Sequence, residues 1–277
     1  MIGTALIEAL VQSVALSHRI DGYDRASLLL LAAPESGKTT IATAANCAHV
    51  CRISVITGKS VLRELKEHQD TEFLLFNDLA TIRGMSHQAT ALLVALLNQL
   101  TQGENGMVAF AGRETEQITR PIGVIGCIPF TAFTDHRSKW REMGFISRMI
   151  PFAYSYPYEL IARIKDAIDG GSHAKKKQPT FRAIHPPVST VSIACSETLT
   201  KDIRHLADAR AQHLEQIGIR LLANYHSLIR AHALRDGRRA VSHDDMEFLR
   251  SVDSYVSIME CKELERADHP REQRKAK

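Results

Sequence analysis

Short uninterrupted apolar runs recur along the chain: SLLLLAA at 27–33, RISVIT at 52–57, EFLLF at 72–76, PIGVIGCI at 121–128 and MIPFAYS at 149–155. Runs this short with no polar alternation read as strands buried on both faces, which calls for a parallel sheet covered by helices. Between them, Lys59 to His68 and Ser86 to Leu100 place apolar residues at helical spacing. Met1 to Ile20 reads as an amphipathic helix, because Glu8 falls within its apolar pattern and speaks against a signal peptide. After a short extended stretch, VSTVSIA, the pattern from Thr200 to Glu265 is helical almost throughout.

The segment DGGSHAKKKQPTFRAIHPP, Asp169 to Pro187, combines glycine, proline and a lysine triplet and reads as a linker. The expected organisation is an α/β domain over 1–170, a linker over 171–187, a helical domain over 188–265 and a flexible basic tail over 266–277.

Composition narrows this picture only slightly. With 277 residues, 44% hydrophobic and 24% charged, the chain has the make-up of a globular protein with one large or two modest cores. A net charge of +4 permits a nucleic-acid partner without requiring one. No apolar run is long enough to span a membrane, and five widely spaced cysteines with no CxxC pair argue against a disulfide framework, so the expected location is cytoplasmic. Cys47 and Cys51 read as buried thiols near the first helix rather than as metal ligands.

The chemistry begins at Leu28 to Thr40, LLLLAAPESGKTT. A buried strand, a turn and Gly-Lys-Thr opening a helix form a phosphate-binding loop, in which backbone N–H groups gather around a polyphosphate. Pro34, Glu35, Ser36 and Gly37 form the turn, Lys38 reaches the phosphates, Thr39 offers a hydroxyl to Mg²⁺, and Thr40 continues the helix. Ala32 stands where the motif has its first glycine. A second polar signal follows the apolar run ending at Phe76: Asn77 and Asp78, at a strand end where such enzymes hold Mg²⁺. If Asn77 takes the metal position, Asp78 is a short substitute for the base that orients water; if Asp78 takes it, as metal ligand and catalytic carboxylate, Leu79 follows and no base is present. Either alignment predicts slow hydrolysis.

From here the order of features resembles AAA+ ATPases, in the branch with a hairpin before the fourth strand that includes minichromosome-maintenance helicases, magnesium-chelatase-like ATPases and enhancer-binding activators. The carrying residues are Ala91 to Phe130, in which GMVAFAGRETEQIT alternates around Gly112 as a hairpin does before PIGVIGCI. The resemblance implies a parallel-sheet P-loop domain followed by a small α-helical lid. It implies that Arg113 at the hairpin tip contacts a target, and that Thr131 is the first hydroxyl able to sense the γ-phosphate after Ile128 and Pro129. In GFISRM, Arg148 resembles the arginine finger that acts in a neighbour's site, with Arg137, Arg141 and Arg163 as alternatives. The stretch Gly218 to Leu249 looks like the lid, with Arg220 matching the second sensor that reaches the γ-phosphate when the lid closes. Ser242 followed by His243, Asp244 and Asp245 reads as a helix cap rather than a metal site.

The implied cofactors are ATP and Mg²⁺, and the implied assembly is a homo-oligomer, ring or filament. The expected function is ATP-driven remodelling of nucleic acid or a DNA-bound protein complex. The alternative is a nucleotide-gated assembly switch with slow or no hydrolysis, and a third reading is a small-molecule kinase using the same loop.

Overall fold

The computed structural model of the protein describes residues 4–45, 47, 49–54, 56–102, 106–110, 114–118, 120–156, 162, 166, 169, 181 and 183–259. The strands are β1 (Leu28–Ala32), β2 (Val50–Ile53), β3 (Phe73–Phe76), β4 (Gly106–Phe110), β5 (Glu114–Ile118), β6 (Gly123–Pro129) and β7 (Ile150–Ala153). Five of them form one parallel sheet in the order β2-β3-β6-β1-β7, while β4 and β5 pair separately as an antiparallel hairpin. The helices are α1 (Thr4–Leu16), α2 (Lys38–Ala42), α3 (Gly58–Glu67), α4 (His87–Gln102), α5 (Phe130–Glu142), α6 (Glu197–His213), α7 (Ile219–Arg235) and α8 (His243–Asp253). The protein is thus an α/β fold on a parallel sheet, followed by a helical part, as its apolar runs predict.

Every residue of β1, β3 and β7 is buried, which is why their sequences lack alternation. Close approach of neighbouring strands is made possible at Gly123, where a Cβ would lie 2.0 Å from the Phe73 ring. Register fixes the two ends of the strands. Leu28 pairs with Ile125 and with Ile150 at their N-terminal end, and Ala32 pairs with Pro129 at their C-terminal end. One strand differs from expectation: β2 covers Val50–Ile53 rather than 52–57. The reason is local, because Thr57 caps α3, its Oγ1 accepting from the Ser60 N–H at 3.0 Å, so the chain is already turning into helix there. Cys47 and Cys51 accordingly lie before and within β2, half-buried and unbridged, not on a helix.

The expectation of an amphipathic first helix is corrected. From Ala9 to Leu16 every residue of α1 is buried, Gln12 and Ser13 included. It is covered by α7 and α8 on the helical side and by α2 and the 3-10 turn Thr43–Ala45 on the other. In the segment that follows α1, Arg230 of α7 lies 4.2 Å over the Tyr23 ring, a further tie between the N-terminal segment and the helical part.

Two polar clusters hold the helical part. Asp253 accepts from the Tyr225 hydroxyl at 2.5 Å and from Arg210 Nε and Nη2 at 3.1 and 2.8 Å. The buried Asp245 carboxylate closes a capping box with Ser242, as the sequence predicts, and also receives Arg238 and His232 Nδ1. Those partners, working against burial, hold the Asp245 carboxyl well below the usual carboxylate range. The helical part joins the sheet through a bridge between Phe152 and Val256 and through Arg141, which donates to the Leu214 carbonyl and pairs with Glu215.

Candidate functional site

β1 delivers the chain to Ala32, and the turn Ala33–Gly37 leads into α2. Gly37 has φ +72, the left-handed region that glycine enters without strain, and Glu35 enters it at φ +62 despite its side chain. Left-handed residues within a tight turn gather successive peptides into a concave anion cradle. Lys38 is only 8% exposed. Its Nζ donates to the carbonyls of Ala32 at 3.0 Å and Ala33 at 2.6 Å and to Ser36 Oγ at 3.3 Å, so the ammonium lies inside the curve of the loop. Burial lowers the Lys38 pKa, and the nearby Asp78 carboxylate works the other way. Ser36 is buried, whereas Pro34, Glu35, Gly37, Thr39 and Thr40 are exposed around it.

The strand end beside the loop carries the second polar signal. Thr39 Oγ1 donates to the Asn77 carbonyl at 3.2 Å, so the structure joins Thr39 to Asn77. Asn77 Oδ1 is buried and has no hydrogen-bond partner. The Asp78 carboxylate instead accepts from the Ala80 N–H at 2.8 Å as the cap of the 3-10 turn Leu79–Gly84, while remaining close enough to act on Lys38.

Thr131 lies exposed in the first turn of α5, just past the end of β6, and its carbonyl receives Arg83 at 3.2 Å. Arg83 also pairs with Asp135. The β4–β5 hairpin stands where the sequence places it, directly before β6, and Arg113 at its tip lies outside the described residues.

The two remaining arginines meet at the opposite, N-terminal end of the strands. Arg148 comes two residues before Ile150, which pairs with Leu28, the first residue of β1; the loop follows the last. Its guanidinium donates to the Gly144 carbonyl at 2.5 Å and to Gln102 Oε1 at 2.7 Å. Arg220, at the start of α7, donates to Ser147 Oγ at 3.2 Å. Both line a cleft of about 240 Å³ with Asp24, Arg25, Thr101, Gln102, Ala223 and Asn224, and no residue of the phosphate loop is among them. Of the alternative arginines, Arg137 donates to the Ile258 carbonyl, Arg141 is engaged with Leu214 and Glu215, and Arg163 lies outside the described residues.

No family model and no curated protein matches this sequence. Among solved structures it is similar to a full-length MCM homolog from Methanopyrus kandleri, at a TM-score of 0.51 and 13% identity. The two share a fold. The match covers 92% of this chain and 58% of that one, so this chain spans little more than half of that protein's length. At that coverage the likeness takes in the sheet and the helical part together.

Two tyrosines escape motif reading. Tyr154 Oη donates to the Ser36 carbonyl at 3.4 Å, and the Tyr156 hydroxyl lies 3.9 Å from where a Cβ on Gly37 would stand, so the end of β7 braces the loop from the side. Burial raises the pKa of both phenols and keeps them neutral donors. The only sequence signal was their spacing past a strand that neighbours β1. Among the described residues no helix is long and apolar enough to cross a membrane.

Proposed function

We propose that the chain binds MgATP at the loop Ala32–Thr39 and completes that site with a neighbouring copy, as an AAA+-type module. The observation that carries this reading is the placement of Arg148 and Arg220 together in one cleft, at the end of the strands away from their own loop. A nucleotide touched by either guanidinium therefore belongs to the next subunit, which makes the contact head-to-tail and the assembly a ring or filament. Arg220 then acts on the neighbour's nucleotide beside Arg148, rather than closing over its own subunit's loop.

Lys38 and the backbone of Pro34 to Thr40 hold the phosphates, and the Thr39 hydroxyl faces the cation. The residues fit a phosphate-bound Mg²⁺, since the Thr39 hydroxyl, which meets the end of β3, and the Asp78 carboxylate, close enough to act on Lys38, offer it oxygen ligands. When bound, the cation neutralises charge on the phosphate oxygens. Asp78 is the carboxylate available to orient water, and Thr131 the hydroxyl nearest the sensing position. Nucleic acid or a DNA-bound protein complex is the target class, supported by the fold shared with an MCM homolog and by the net charge of +4, with Arg113 as the contact on the hairpin.

A second reading, a switch that assembles on ATP and turns over slowly, is favoured by one specific observation: the Asp78 carboxylate is engaged by Ala80 as a helix cap. ATP turnover measured against protein concentration separates the two, using the parent, Lys38→Ala, Asp78→Asn and Arg148→Ala. Turnover that rises with concentration and is lost in all three variants supports the shared-site ATPase. ATP-dependent assembly without turnover supports the switch, and turnover independent of concentration refutes the completed-by-a-neighbour site.

A further inference from the structure

We infer that the Asn224 carboxamide is a further nucleotide contact, donating to the terminal phosphate of the neighbouring subunit's ATP alongside Arg148 and Arg220. This role rests on the shared-site reading above and adds a neutral donor to that half-site.

Asn224 lies one turn after Arg220 on α7, and residues four apart in a helix share a face. Together they line the cleft of about 240 Å³, across from Asp24 and Arg25 after α1, Gln102 at the end of α4, and Arg148. Asn224 is only 7% exposed, yet its carboxamide has no hydrogen-bond partner among the described residues. The other neutral polar groups of the cleft wall are engaged. The Thr101 hydroxyl donates to the Leu97 and Asn98 carbonyls at 3.0 Å, and Gln102 Oε1 accepts from Arg148. A buried amide left unpaired costs stability, and asparagine is a poorer helix former than alanine. The fold's own hydrogen bonds make no use of this side chain; a ligand entering the cleft can.

The charges specify that ligand. Arg25 is paired with Glu72, so among the described residues the balance in the cleft is set by Arg148 and Arg220 against Asp24, and it is cationic. The two guanidiniums donate to neutral oxygens of Gly144, Gln102 and Ser147. A phosphate group offers anionic acceptors that are stronger partners than these, and it takes uncharged N–H donors as well as guanidiniums. Asn224 Nδ2 is such a donor. An aspartate in its place would offer no donor and would cancel the remaining positive charge of the cleft.

The test measures ATP turnover and urea denaturation of the full chain for the parent, Asn224→Ala, Asn224→Asp and Arg148→Ala. Each Asn224 variant is also mixed in equal amounts with Lys38→Ala or with Arg148→Ala. Asn224→Ala is expected to be at least as stable as the parent and to turn over about tenfold more slowly, the loss of one hydrogen bond to a charged group. Asn224→Asp is expected to lose about a hundredfold. Mixing Asn224→Asp with Lys38→Ala should return about a quarter of the parent's activity, and mixing it with Arg148→Ala nothing, because those two lesions share one half-site. In a parent that assembles on ATP without hydrolysing it, the ATP concentration for half-assembly is read instead, with the same ranking of variants. Turnover of both Asn224 variants within about twofold of the parent, with Arg148→Ala inactive, overturns the contact. So does a loss that tracks a fall in stability and is not recovered with Lys38→Ala, which marks a structural role. If Asn224→Asp does not fold, the stability, turnover and mixing of Asn224→Ala decide alone. Failure of the shared-site reading looks different: Arg148→Ala then turns over like the parent, whatever the Asn224 variants do.

Discussion

Subunit mixing tests the pairing of Arg148 with Arg220 most directly. Arg148 stands two residues ahead of Ile150, which is level with Leu28, whereas the phosphate loop begins after Ala32. Four strand rises separate these levels, about 13 Å along the sheet, well beyond hydrogen-bond contact. Arg220 is tied to the same level by its 3.2 Å bond to Ser147. Arg220→Ala and Arg148→Ala each leave the loop intact and remove the half-site offered to the neighbour; Lys38→Ala does the reverse. Loss of a guanidinium that stabilises phosphoryl-transfer charge costs about a thousandfold or more in turnover, so each variant alone should be nearly inactive. In an equal random mixture of Arg220→Ala with Lys38→Ala, about one interface in four joins an intact loop to intact arginines, and activity should return to about a quarter of the parent's. Arg148→Ala with Lys38→Ala should behave the same, while Arg148→Ala with Arg220→Ala should recover nothing, because both lesions lie on one half-site. The assay is steady-state ATP turnover, or ATP-dependent assembly by sedimentation if turnover is slow. Recovery in the Arg148→Ala and Arg220→Ala mixture, with none in Arg220→Ala and Lys38→Ala, refutes the reasoning and returns Arg220 to its own subunit's nucleotide.

Gly123→Ala should destabilise the fold by about 3 kcal/mol in urea denaturation, since its Cβ would lie 2.0 Å from the buried Phe73 ring; Phe73→Leu should cost less in that background than alone, and simple additivity refutes the clash. Burial pulls the His18 pKa down from 6.5 to about 4. The folded state therefore resists a proton that the unfolded chain accepts, so this contribution is complete above pH 6.5 and is lost as pH falls from there toward 4. Between pH 7 and 5 His18 should remove about 2 kcal/mol of stability, and His18→Gln should flatten that slope; an unchanged slope refutes the assignment. Asp253→Ala should cost about 3–5 kcal/mol by chemical denaturation, because it leaves Arg210 and the buried Tyr225 hydroxyl without their acceptor; a loss below about 1 kcal/mol refutes it.

What was legible in the sequence was what local chemistry dictates. The runs Leu28 to Ala32 and Phe73 to Phe76 have no polar interruption because both sheet faces are covered, so they read directly as strands. The Ser242 cap also needed only its neighbours. What remained hidden depended on partners distant in the chain. α1 looked amphipathic because the helices that bury its second face come more than two hundred residues later. The short range of β2 followed from the cap at Thr57, a competition that a count of apolar residues does not weigh. The two alignments of Asn77 and Asp78 are equivalent in sequence, and the Ala80 N–H that engages the Asp78 carboxylate is a partner that no motif supplies. Arg148 and Arg220 are far apart in the chain, and their common cleft exists only once α7 is docked.

The burial of α1 between the loop's helix and α7 also orders events in time. Its residues leave the ribosome about two hundred residues before those of α7, yet one of the surfaces that bury α1 is made only when α7 has been synthesised. Contacts spanning such sequence separation form late, since the intervening chain must be closed into a loop first. Until then an apolar helix is exposed on a nascent chain, a surface on which chaperones or other chains act. A chain interrupted before α7 should therefore be retained by holdases or aggregate rather than accumulate as a free α/β domain, even with every strand of its sheet already translated.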